Sequence, residues 1–223
     1  MERSAVSACP VVTFPTYAVS LRFGDAPGQR EPRSITLIVR EGETEQAYFE
    51  AIRILFQLTT AEVVVADNTK GAAPISVVEC AEERAAEQGG YDTIFCVFDR
   101  DGHESFERAR ARIRGLASRS RNRLNMHEVV SVPCFELWVL LHFERTDRPF
   151  QRCVDVIGQI RREHLNGYAK ADDGVTKQLM SRVEMALANA RWLKGRTEIQ
   201  EDNPSTSVNT VVQHLKDVGS RLP

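Results

Sequence analysis

Apolar and polar positions alternate in blocks from about residue 35 onward, and the blocks switch between two periods. Residues 35–39 (Ile-Thr-Leu-Ile-Val) form a β-branched run that reads as a strand buried on both faces. A helical stretch follows, with apolar residues at Tyr48, Phe49, Ile52 and Leu55. A second strand is predicted over 61–66, a turn over 67–71, and an alanine-rich helix over about 74–88, closed by Gly89-Gly90. Residues 93–98 read as a third strand, 99–102 as a loop, 104–117 as a helix and 127–132 as a fourth strand. Pro133 suits the first turn of a buried helix over 133–144. Beyond Arg145 the pattern is helical, at about 150–165, 174–194 and 205–219. Residues 1–33, rich in Pro and Gly, predict a loosely ordered leader with one short extended piece at 11–14.

Strands alternating with helices predict an α/β fold, a parallel sheet with helices on both faces. The expected division is a leader over 1–33, an α/β domain over 34–145 and a helical C-terminal part over 146–223 packed on the same domain. A chain of 223 residues is long enough to enclose such a core.

The predicted sheet gives the acids a meaning. In open α/β sheets ligands bind beyond the carboxyl ends of the strands, where the strand order reverses. Glu41 follows the first strand, and Asp99 and Asp101 follow the third. With an order of 2-1-3, those two strands are neighbours and the three carboxylates share one crevice. Close carboxylates raise one another's pKa unless a cation neutralises them, and Mg2+ is a hard ion held by such oxygens, with Mn2+ as a substitute. Gly42 and Gly102 give each loop a tight backbone passage. The plainer reading of each acid alone is a helix N-cap, and for single residues it stays open.

Composition narrows the partners. A net charge of -2 excludes a globally basic nucleic-acid binder but leaves room for a local patch. Seven arginines (Arg108, Arg110, Arg112, Arg114, Arg119, Arg121 and Arg123) fall within sixteen residues containing no acid, a candidate surface for a phosphate backbone or else a solvated helix face. Lys170 and Lys177 are further candidate phosphate contacts. Five widely spaced cysteines without a CxxC pair predict a reducing cytoplasm and neither zinc site nor disulfide, with Cys96 and Cys134 as small core residues. No apolar run approaches the length of a membrane span.

Longer strings carry a family resemblance. Glu-Gly-Glu-Thr-Glu at 41–45 and Val-Phe-Asp-Arg-Asp at 97–101, each after an apolar strand, resemble the glutamate and DxD motifs of the Toprim superfamily. The string Pro-Cys-Phe-Glu-Leu-Trp-Val-Leu-Leu-His-Phe at 133–143, with Asn-Pro-Ser-Thr-Ser-Val at 203–208, is similar to the RloB-like branch of that superfamily. The chain departs from the branch at Arg40, where the family usually carries a cysteine. The resemblance implies a Toprim-like fold, Mg2+-dependent phosphoester chemistry and a place in bacterial phage defence. It implies Glu41, Asp99 and Asp101 as metal ligands, with nucleic acid (DNA or RNA) and a partner protein from the same defence locus as partners.

Glu136 sits in an otherwise apolar segment, and a buried carboxylate needs a partner, which favours a place in the catalytic set. His142 reads as a satisfied core histidine, and the 203–207 stretch as a helix start with Pro204 in the first turn. Two functions remain open at this level: a metal-dependent nuclease with Arg108, Arg112, Arg119, Arg121, Arg123 and Lys170 on the nucleic acid, and a non-catalytic nucleic-acid- or partner-binding effector module with the same fold.

Overall fold

The computed structural model describes residues 35–58, 61–65, 73–118, 124–196 and 202–221, with 61–65 described through its backbone. The expected leader and its extended piece, the 67–71 turn, and Arg119, Arg121 and Arg123 lie outside these residues.

Five strands form one sheet in the order β2-β1-β3-β4-β5. They are β1 (Thr36–Arg40), β2 (Ala61–Val65), β3 (Thr93–Asp99), β4 (Met126–Val132) and β5 (Ser205–Thr206). The first four are mutually parallel, with Val39 opposite both Val64 and Cys96, and Asp99 opposite Ser131. The expected order 2-1-3 is therefore the observed one, and the α/β class with a mostly parallel sheet is consistent with a Toprim-like fold.

Successive strand residues face opposite sides, so the apolar runs feed two cores. Leu37, Val39, Ile94, Cys96 and Phe98 pack with α2 (Pro74–Gln88) and α3 (Phe106–Ala117). Ile38, Phe95, Val97 and Val129 pack on the other side with α1 (Glu43–Leu55), α4 (Glu136–Leu140), α5 (Cys153–Glu163), α6 (Asp173–Met180), α7 (Val183–Lys194) and α8 (Val208–Ser220). The C-terminal helices thus share a core with the sheet. Right-handed crossovers put the helix on one face when the chain moves left from β1 and on the other when it returns right to β3. The order reverses between β1 and β3, whose carboxyl ends lie side by side.

Three expectations need correction. Pro133 lies in a bend after β4 and the helix begins only at Glu136. It is also short: the Trp138 carbonyl accepts from His142 Nδ1 (2.9 Å), and i→i+3 bonds from His142 and Phe143 tighten the chain out of the helix. The predicted 174–194 helix is two helices. At the break the Ser181 hydroxyl donates back to the Gln178 carbonyl (2.8 Å) and Arg182 leaves helical geometry. Ser205 and Thr206 form no helix start but pair antiparallel with Val132 and Ser131, while Ser207 Oγ accepts from the Val130 amide (2.9 Å). This short strand covers the otherwise open edge of β4. Among the described residues no helix is long and apolar enough to cross a membrane.

Candidate active site

The acids gather where the order reverses. Asp99 closes β3, Glu41 follows β1 directly, and the Asp99 amide donates to Glu41 Oε2 (3.3 Å). This bond extends the β1–β3 pairing past Arg40 into the loop that carries Glu41.

Glu45, which the sequence offered only as the end of the 41–45 motif, belongs to the same group. It occupies the first turn of α1 and is 4% exposed. Its carboxylate folds back over Gly42, where a Cβ would stand 2.7 Å from Oε2, so glycine leaves the space this carboxylate fills. The signal was the i,i+4 spacing of Glu41 and Glu45 around one helix start. Glu136, at the start of α4, is 1% exposed and comes in from beyond β4. Lys170 reaches it from the α5–α6 loop, with Nζ 2.9 Å from Oε1. Tyr168, 2% exposed, has a hydroxyl with no partner among the described residues, in the field of Glu136 and Glu45.

Burial and, after it, mutual repulsion show in the protonation. Burial, then Glu45, Glu41 and Glu136, push the Asp99 carboxyl well above its usual range, against the pull of the Phe135 backbone. Glu41 rises to about 7, through burial first and the Asp101 and Glu45 charges next, opposed by the Asp99 amide and Lys170. Burial and Glu136 also raise Glu45. Burial pulls the Lys170 ammonium down, but the charges of Glu136, Glu45 and Asp99 outweigh it and the net shift is upward. Behind the site, Arg40 donates to the Gly42 carbonyl and to Gln46 Oε1; burial lowers it to about 10, against the pull of Glu45. Arg40 therefore stays charged at neutral pH and braces the loop that carries Glu41.

Asp101 stands at the rim. It is exposed, Oδ1 accepts the His103 amide (3.2 Å), and its charge is felt at Glu41. Gly102, beside it, turns the loop at φ +86°. Glu41, Asp99 and Asp101 thus lie on one edge of the sheet. Among the described residues, though, the set of three potential ligand atoms within 4.8 Å of one another is Cys134, Glu136 and Cys153. Those two sulfurs are joined in a disulfide, correcting the expectation that the chain has none and that Cys134 is only a core thiol. A surface hollow of about 590 Å³ at Asp147, Arg196, Asn203 and Pro204 includes none of the acids.

The arginine run is less bare than its window suggested. Arg110 pairs with Glu128 of β4 (2.8 Å) and Arg112 with Glu79 of α2 (2.9 Å), both acids supplied from outside the run. Arg108 and Arg114 are exposed.

His142 is fully buried, its Nδ1–H on the Trp138 carbonyl and its Nε2 accepting from the Tyr48 hydroxyl (3.1 Å). Burial lowers it to about 4. Between about pH 6.5 and 4 the unfolded chain binds this proton and the native chain refuses it, so acidification through that window destabilises the fold. Denaturant melts at pH 7 and 4.5 check this: the loss on acidification is expected to be smaller in His142→Gln than in the parent, and equal losses would remove His142 as the cause.

Acidic side chains at the carboxyl edge of a mostly parallel sheet, with one lysine among them, define a carboxylate-centred α/β site. A family model described as RloB-like protein matches residues 36–215, and the chain belongs to this family. No curated protein and no solved structure matches it significantly.

Proposed function

We propose that this protein is a Mg2+-dependent phosphodiester hydrolase that cuts nucleic acid, serving bacterial defence against phage from the cytoplasm, alone or with a partner protein of the same locus. The observation that supports it is the convergence of Glu41, Glu45, Asp99 and Glu136 on one sheet edge, their charge met there by Lys170. The defence role is part of the same proposal, and membership of the RloB-like family supports it.

The donor set fits a hard cation. Its atoms are carboxylate oxygens whose protonation is raised by burial first and by neighbouring negative charge next, and a divalent ion would offset both. Glu41, Asp99 and Asp101 would hold it, and when bound it would supply Lewis-acid activation of water and phosphate.

The chain's own groups do the rest. Glu41 Oε2 is engaged by the Asp99 amide, which leaves Oε1 as the oxygen that would face the cation. The Lys170 ammonium, anchored by Glu136 but more than half exposed, binds a phosphate oxygen. Arg108, exposed on α3, offers a further contact to the backbone of the nucleic acid.

The test is direct: purified protein with Mg2+ or Mn2+ against labelled single-stranded DNA, duplex DNA and RNA. Cleavage of at least one, abolished by EDTA, is expected. No cleavage of any, with either ion, would end the reading.

A further inference from the structure

Glu136 has a second neighbour that the proposed chemistry does not use. Cys134 stands two residues before it in the bend after β4, and Cys153 opens α5. Their sulfurs are bonded to each other, closing a loop of sequence separation 19 that contains all of α4. Cys153 Sγ lies 3.0 Å from Glu136 Oε2, on the carboxylate whose other oxygen holds Lys170. Cys134 is 2% exposed, whereas Cys153 is partly open to solvent, so an exchanging thiol can reach the pair from one side. The remaining described cysteines, Cys80 and Cys96, are buried and take no part in a disulfide.

We infer that Cys134 and Cys153 form a thiol–disulfide switch that sets how strongly the carboxylate site holds a divalent cation, an inference that rests on the proposed metal site. The oxidant is a low-molecular-weight disulfide. The Cys153 thiolate attacks one of its sulfurs and expels a thiolate. The Cys134 thiolate then attacks the mixed disulfide and expels the second. The two protein thiols lose two electrons and two protons, and two small thiols carry them away.

The two states differ at Glu136. Bonded to each other, the sulfurs have no hydrogen to donate, so Oε2 is left free and the tether holds α4 and its carboxylate in place. Once reduced, the Cys153 S–H donates to Oε2 and draws on the negative charge that Glu136 exerts at Asp99, which weakens the attraction for a cation there, and the loop over α4 is released. Both effects act in the same direction: the oxidised form binds the cation more tightly.

The experiment compares full-length protein equilibrated with glutathione disulfide or with glutathione, then desalted under argon. Thiol alkylation with mass spectrometry is expected to find Cys134 and Cys153 blocked after the first treatment and labelled after the second. Calorimetric titration with Mn2+ is expected to give a Kd roughly 3- to 10-fold weaker for the reduced form, the scale of one ordinary hydrogen bond, since an S–H is a weak donor. Cys153→Ser keeps a donor and cannot be oxidised to the pair, so its Kd is expected to match the reduced form in both buffers. Both thiols labelled after glutathione disulfide, equal Kd values for the two forms, or a glutathione response retained in Cys153→Ser would overturn the switch. Equal Kd values would leave the metal site standing, whereas no Mn2+ binding in either form would overturn site and switch together.

Discussion

Asp99→Asn is expected to reduce Mn2+-dependent cleavage by about 10²–10³-fold or more, the scale on which losing one preorganised electrostatic group acts, while raising the melting temperature of the metal-free protein. The two halves come from one cause. Asp99 ends the central strand with Glu45, Glu41 and Glu136 acting on its carboxyl group. Asparagine keeps the shape and an acceptor for the Phe135 backbone, and the amide that donates to Glu41 belongs to the main chain and is untouched. What disappears is a buried carboxyl group that is costly to ionise beside Glu45, Glu41 and Glu136. Without a cation that removal relieves repulsion, and each kcal/mol relieved raises the melting temperature of a chain this size by about 2–4 °C. With a cation, a ligand is gone. A variant that merely unfolded would lose activity and melt lower, so thermal denaturation beside the cleavage assay separates the two. Undiminished cleavage would end the nuclease reading, and a lower metal-free melting temperature would end the repulsion account.

The parts of this arrangement that could be read from the sequence are those set by local pattern. Apolar runs of five to seven residues, each followed by a turn and a helix, suffice to place Glu41 and Asp99 at the carboxyl ends of neighbouring strands, because topology and handedness leave few alternatives. The rest depends on contacts between distant segments. Lys170 was visible as a candidate phosphate contact, but its pairing with Glu136 spans 34 positions and comes from a loop with no periodicity to fix where it lies. Arg110 and Arg112 looked uncompensated because their acids stand on β4 and α2, outside any window along α3. The two residues of β5 are too few to show an alternation, and Ser-Thr after Pro204 is as good a helix start as a strand. The bond between Cys134 and Cys153 joins segments 19 residues apart with no CxxC spacing, and an odd cysteine count argued against it.

Stability should report the cation as directly as activity does. Glu41 is raised in the native state to about 7 from an ordinary value of 4.5, and Asp99 and Glu45 move the same way. Between about 4.5 and 7 the native chain therefore holds protons that the unfolded chain has released. The stability these groups contribute is fully present below about 4.5 and is lost as the pH rises through 7, the reverse of the His142 trend. A divalent ion on the same oxygens replaces the protons, so the increase in melting temperature on adding Mn2+ or Mg2+ is expected to grow from pH 5 to pH 8. At pH 8 and a free-ion concentration of 100 times Kd, mass action gives about 2.7 kcal/mol, or roughly 5–10 °C for a chain of this length. Differential scanning fluorimetry with and without EDTA at pH 5, 6.5 and 8 measures it, with Glu41→Gln expected to flatten both the metal-free pH slope and the gain from the ion. A shift that is the same at all three pH values, or one retained in full by Glu41→Gln, would mean that the cation binds away from the sheet edge where β1 and β3 end.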